Sequence, residues 1–399
     1  MIVQHKPQLH LTYCQNIHPG ETWTENFDAI KQHAVQVKQR VCPDQWFGLG
    51  LRLSAQAAAD LSVPEQRAEA LDFFASNHLY PFTINGFPYG RFHKDRVKEH
   101  VYAPDWRTPE RRDYTIQLAD ILAGMLPEGI EGSISTVPCS FKPWITTDSE
   151  KIVMAQNLAA CVAYLDALRD DTGRTINLGL EPEPDCFLET TEETVAYFKD
   201  YLLVAGVEEV VRILGCDKAK GEELVRRHLG VCFDTCHVAM QFENLHESLL
   251  AYRRAGIAIS KIQISAALRT MSNETARDAL AAFTEPVYLH QVKGLSRAGA
   301  RFAWYDLPEA IQESPDFPDI EELRIHFHVP LFFPGTSVIN TTANALTPDF
   351  MHELRNGACP HLEIETYTFD VLPSSVHPGD IVRSIAREYS WVLGRIEGL

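Results

Sequence analysis

Short apolar runs recur along the chain, each closing on polar residues and each followed by a stretch whose apolar side chains return at helical spacing. The first run, 9–17 (LHLTYCQNI), ends near Asn16 and predicts a strand. A helix follows over 26–41, with Phe27, Ile30, Ala34, Val37 and Val41 on one face. The second run is 47–54, with Arg52 near its end, and its helix covers 64–77 behind an initial proline. The third is 80–90, which carries Asn85, with a helix over 108–126. The fourth is 132–140, followed by Lys142 and Trp144 and a helix over 149–169. The fifth, 176–185 (INLGLEPEPD), precedes a helix over 190–205 that opens with threonine and early glutamates.

The sixth run is the most pointed. Within 230–239 (GVCFDTCHVA), Val231, Cys232 and Phe233 lead straight into Asp234, Thr235, Cys236 and His237. A short β-rich run with its charged groups gathered at the C-terminal end reads as a buried parallel strand delivering a carboxylate and an imidazole to one rim. The plainer alternative is that Asp234 caps the next turn and His237 lies on the surface. A helix over 244–255, a seventh strand over 259–268, a last strand over 361–369 and a closing helix over 379–396 complete the series.

Eight strand-then-helix units predict an α/β fold, a (β/α)8 TIM barrel, rather than an open sheet; the first strand carries no GxGxxG turn. The rhythm breaks at 269–346, read as a hairpin-rich insertion before the last strand that covers the barrel mouth. Either KIQIS or the later HFHVP supplies the seventh barrel strand. No linker interrupts the chain, so one domain is expected over 1–399.

The 399 residues are 45% hydrophobic and 23% charged, an ordinary globular balance. The net charge of −18, without any run of lysine or arginine, argues against nucleic acid as the main partner. No charged-then-apolar leader and no long uninterrupted apolar stretch stands in the sequence, so no membrane insertion and a cytoplasmic location are expected. The nine scattered cysteines fit reduced, buried thiols.

In a barrel, the strand ends converge. Glu181 and Glu183 follow the fifth strand, Asp234 and His237 the sixth, and Glu363 and Glu365 belong to the last; Gln263 lies on the seventh, and His326 and His328 stand in the insertion. Such a ring of carboxylates with an amide or imidazole suits a divalent cation: Mn, Zn, Co, Mg or Fe. Two of its carboxylates can then move a proton across a bound sugar carbon. Glu181 is preferred to Glu183, which sits between prolines, and Glu365 to the deeper Glu363. Arg52, Asn85, Lys142, Trp144, Tyr13 and His18 are further candidates for substrate contact.

The order Glu in LGLEPE, Asp-x-x-His in FDTCH, a polar residue in IQIS and Glu in EIETY resembles the xylose isomerase-like TIM barrels. The resemblance implies metal ligands at Glu181, Asp234, Gln263 and Glu365, with His237 on substrate or a second metal. It also implies a sugar or cyclitol substrate, phosphorylated or not, and Glu181 and Glu365 as catalytic groups. Gln263 stands where these proteins carry histidine, so either His326 or His328 is the alternative ligand. In the site expected here, His328 joins the metal, and His237, His326, Arg52, Lys142 and Asn85 contact substrate.

LTYCQNIHPGETW, FDTCHVA, IQISAAL, YLHQV, HFHVPLF and LEIETYTFDVLP resemble, over nearly the whole chain, the EboE group of metabolite-traffic proteins. That likeness implies a role in processing or export of secondary metabolites, with pathway proteins as partners. It admits a carrier that binds a metabolite without converting it. DTCH is also similar to endonuclease IV, but the third strand offers Asn85-Gly86-Phe87 where that enzyme needs histidine.

Overall fold

The computed structural model describes residues 1–93 and 97–397. Strand β1 (Ile2–His5) turns back antiparallel onto β2 (Gln8–Tyr13). From β2 the chain alternates with helices through β3 (Phe47–Arg52), β4 (Leu79–Asn85), β5 (Gly132–Thr136), β6 (Ile176–Leu180), β7 (Leu229–Asp234) and β8 (Ala258–Ile264). An insertion follows, carrying β9 (Leu268–Met271), β10 (Val292–Ser296), β11 (Arg301–Trp304), β12 (Ile320–Ile325) and β13 (Ile339–Thr341). The last strand is β14 (His361–Ile364).

Strands β2 to β8 and β14 run parallel in the order β2-β14-β8-β7-β6-β5-β4-β3. A parallel bridge from Cys14 to Gly50 and the Thr12 hydroxyl bonded to the Gly48 carbonyl (2.8 Å) join the two ends. The sheet thus curls into the expected eight-stranded barrel. Strands β3, β4 and β7 are buried at every residue, which is why they read as largely apolar runs and not as alternation.

The barrel interior is not wholly apolar. Lys261 on β8 and Glu363 on β14 pair at 2.5 Å, both fully buried. Gly50 makes room for that carboxylate: a Cβ there would meet Glu363 Oε1 at 2.1 Å.

Some helices differ from the periodicity reading. The helix expected over 190–205 continues, because Val207 and Val210 extend its buried stripe; Thr191–Tyr197 passes through a wider π-turn segment, Phe198–Gly206, into Val207–Leu214. The helix Lys218–His228, absent from that reading, then leads into β7. The 25-residue helix Asp148–Thr172 is apolar enough by length and composition to cross a membrane. Here it starts on a Thr147–Glu150 capping box, ends at Gly173 (φ 71°) and buries Met154, Leu158, Val162 and Leu165 in the core.

The choice between KIQIS and HFHVP is resolved by pairing. Strand β8 lies between β7 and β14, with Gln263 level with Asp234 and Glu363, so KIQIS is the seventh barrel strand. HFHVP follows β12 in a separate antiparallel sheet of order β11-β10-β12-β9-β13, formed by the insertion. Hydrogen bonds from Val329 N to the Ala266 carbonyl and from Gln291 to the Pro184 carbonyl tie this sheet to the C-terminal rim of the barrel.

Candidate functional site

Glu181 is the first residue beyond β6, and its amide bonds the Thr136 carbonyl at the top of β5. Asp234 ends β7 and caps the six-residue helix Thr235–Met240, its Oδ1 accepting from His237 N (3.0 Å) and from the Ser265 hydroxyl (2.6 Å). The capping expected of this aspartate is thus made by Oδ1, while Oδ2 is buried without a hydrogen-bond partner and His237 is buried instead of lying on the surface. Glu365 follows β14, and its Oε1 accepts from Asn16 Nδ2 (2.8 Å) and Asn85 Nδ2 (3.0 Å).

One ligand atom from each of Glu181, Asp234 and Glu365 lies within 4.8 Å of the others, all buried. Burial, and next the Asp234 charge, push the Glu181 carboxyl well above its ordinary range. Burial raises Glu365 likewise, reinforced by Glu181 and Asp234. His328 forms an equally tight group with Asp234 and His237. Its Nδ1 donates to the Glu365 carbonyl (3.1 Å), which leaves Nε2 buried and unpartnered. Glu181 Oε2 is orphaned in the same way. Three unpaired, buried, electron-rich atoms beside mutually repelling carboxylates suit a divalent cation, so the residues present fit one.

Gln263 does not join them. It accepts from the Cys232 thiol at 3.0 Å and belongs to none of the close ligand groups, whereas His237, after the sixth strand, and His328, from the insertion, both group with Asp234. Glu363 is a layer deeper, held by Lys261. Glu183, set aside in the sequence because of its prolines, does line the cavity, and its Oε1 accepts from the Tyr102 hydroxyl (2.9 Å). Burial raises its pKa to about 8, against that hydrogen bond.

The cavity holds about 540 Å³ between its walls, counted out to the open mouth. Asn85, His237 and His326 line it. Arg52 does not: its guanidinium is buried against the carbonyls of Gly20 (2.6 Å) and Gly90 (2.5 Å) and ties two rim loops together. Lys142 is half-exposed and paired with Glu189 (2.6 Å) and Glu193 (2.8 Å), away from the cavity. Tyr13 and His18 bond to each other (3.0 Å) behind the site, and Trp144 packs on Phe141 and Arg107.

Sequence reasoning missed the aromatic wall, Phe87, Phe92, Tyr102, Tyr288 and Tyr367. Tyr102 belongs to a short helical turn and Tyr288 to the insertion, where no strand-end rule marks a residue as facing the site.

No family model and no curated protein matches the chain. Solved structures do resemble it. A xylose isomerase-like TIM barrel protein from Mycobacterium smegmatis in complex with magnesium is 11% identical over 98% of this chain and 97% of that one, with a TM-score of 0.50. An IOLI protein with a binding zinc atom is 12% identical over 97% and 99% (TM-score 0.48). A D-tagatose 3-epimerase-like protein is 11% identical over 98% and 97% (TM-score 0.48). At such identity the likeness concerns the fold: the chain has the TIM-barrel architecture of the xylose isomerase-like proteins.

Proposed function

We propose that this protein is a metal-dependent isomerase or epimerase of a sugar or cyclitol. The observation that carries the reading is the group formed by Glu181, Asp234 and Glu365, two glutamates and an aspartate brought to one point from β6, β7 and β14. Glu181, Asp234, Glu365 and His328 would hold the cation, which when bound supplies polarisation of a substrate carbonyl or hydroxyl. The protein's own groups do the rest. Glu181 and Glu365 take a proton from the substrate carbon on one face and return one on the other, a task suited to carboxyls whose burial makes them more basic. Asn16 and Asn85 fix one oxygen of Glu365, so its other oxygen is the one that moves the proton. The aromatic wall orients the substrate and limits water.

The likeness of the sequence motifs to the EboE group supports placing the reaction in processing or export of a secondary metabolite. The test is turnover: metal-loaded protein is screened by NMR against aldoses, ketoses, inositols and their phosphates. Glu181→Gln and Glu365→Gln should each abolish conversion of any substrate found, with the fold retained. A ligand that stabilises the protein but is never converted would replace the enzyme by a carrier.

A further inference from the structure

Tyr288, from the insertion, lines the cavity, and its surroundings hold it still. Its amide donates to Glu285 Oε1 (2.8 Å), its carbonyl accepts from Lys98 Nζ (2.6 Å), and its ring packs against Phe92 and Tyr367, with centroids 5.2 and 5.1 Å away. The hydroxyl stands 2.7 Å from His93 Nδ1. Across that ring, His93 Nε2 faces the Asn16 carbonyl at 2.6 Å; a carbonyl only accepts, so Nε2 carries the proton. In the neutral imidazole Nδ1 is then a lone pair, and the Tyr288 hydroxyl donates to it. Among the described residues nothing donates to the phenol oxygen in return. Tyr288, His93 and Asn16 are all buried, so the cavity meets a hydroxyl backed by a base, and the base is oriented by a carbonyl.

We propose that Tyr288 is a catalytic residue that takes the proton of a substrate hydroxyl as it gives its own to His93, and that the reaction served is isomerisation of the aldose–ketose type. This role rests on the isomerase or epimerase reading of the carboxylates. Epimerisation next to a carbonyl moves protons at carbon alone, which Glu181 and Glu365 do unaided. Isomerisation must also carry a proton from a hydroxyl oxygen to the neighbouring carbonyl oxygen. In the relay the substrate O–H bond breaks and its electron pair stays on that oxygen, which becomes the carbonyl of the product. The proton bonds to the Tyr288 oxygen while the Tyr288 proton passes to His93 Nδ1. The same path in reverse delivers a proton to the former carbonyl oxygen, so His93 ends neutral and no proton is gained or lost. Burial, and next the Glu285 charge, hold the phenol well above its ordinary pKa, so it does not rest as a phenolate and gives up a proton only as it receives one. Asn16 serves both halves of the chemistry: its carbonyl orients His93, and its side-chain amide donates to Glu365 Oε1 (2.8 Å).

The tautomer is checked first, on the wild-type protein without substrate. Nitrogen NMR of the His93 ring should show Nε2 protonated and Nδ1 bare; a proton on Nδ1 would overturn the relay. Turnover is then followed in heavy water with metal-loaded protein and the same aldoses, ketoses, inositols and phosphates, deuterium exchange at the substrate carbon being read beside conversion. In Tyr288→Phe and His93→Gln, conversion should fall about 100- to 10,000-fold, the usual share of a positioned proton-transfer group, and exchange far less. Equal loss of both would leave the pair a structural role only, and undiminished conversion by a folded Tyr288→Phe would remove it from the reaction. A wild type that only epimerises would overturn the relay while leaving the carboxylate reading in place. No turnover of any probe would end both.

Discussion

Asn85 Nδ2 donates to Glu365 Oε1 at 3.0 Å, and the same oxygen accepts from Asn16. The two amides stabilise the ionised carboxylate and orient it, although each is neutral. Replacing Asn85 by Asp turns one donor into a repelling charge. Asn85→Asp is therefore expected to weaken Mn2+ binding about 10- to 100-fold, the usual cost of disturbing a partner of a metal-binding side chain. Calorimetric titration checks it, with the melting temperature showing that the fold is unchanged.

Lys261 and Glu363 are a buried pair, so removing one partner strands a charge. Lys261→Met should destabilise the protein by about 3–5 kcal/mol, and adding Glu363→Gln should restore most of the loss. Gly50→Ala should fail in a related way, since its Cβ would press on Glu363 Oε1 from the side of β3. Urea denaturation of the three variants gives the comparison.

Glu388 supplies a pH-dependent term. Burial raises its pKa to about 7, despite hydrogen bonds from Thr366 Oγ1 (2.8 Å) and Leu331 N (3.1 Å). The protonated form is favoured in the folded chain, so this group's contribution falls as pH rises from the unfolded carboxyl value, about 4.3, to about 7, and is flat above that. Glu388→Gln, which keeps an accepting oxygen, should be more stable than the wild type at pH 8 by up to about 3 kcal/mol. At pH 5 the difference should shrink to about 1 kcal/mol, since that pH still lies above the unfolded carboxyl value. Melting temperatures at the two pH values decide it.

Metal removal should be visible in stability as well as in activity. Without a cation the carboxylates of Glu181, Asp234 and Glu365 repel one another, so chelator-treated protein should gain stability when metal is restored. The gain is about 2.7 kcal/mol at a hundredfold excess over Kd. Asp234→Asn should abolish that response, and thermal unfolding with and without Mn2+ measures it.

Much of the fold was legible because barrel strands are buried on both faces and so appear as unbroken apolar runs between helical periods. The rule that strand ends converge was enough to single out Glu181, Asp234, Glu365, His237 and Asn85. It failed where depth or partner mattered. Arg52 and Lys142 have the right position along the chain, but loop carbonyls and neighbouring glutamates already engage them. Gln263 has the right strand but turns to Cys232. Glu183 looked like an exposed turn residue, and only the packing of the Tyr102 turn and the insertion buries it.

The sequence by itself determined the barrel and the carboxylates that crown it, since both follow from local hydrophobic pattern and strand direction. The tertiary structure decided which imidazoles complete the site and in which tautomer. Those depend on how the five-stranded insertion docks on the rim, through contacts such as Gln291 with Pro184 that join positions 107 residues apart. No local periodicity records such a contact, because its energy exists only once the two elements meet.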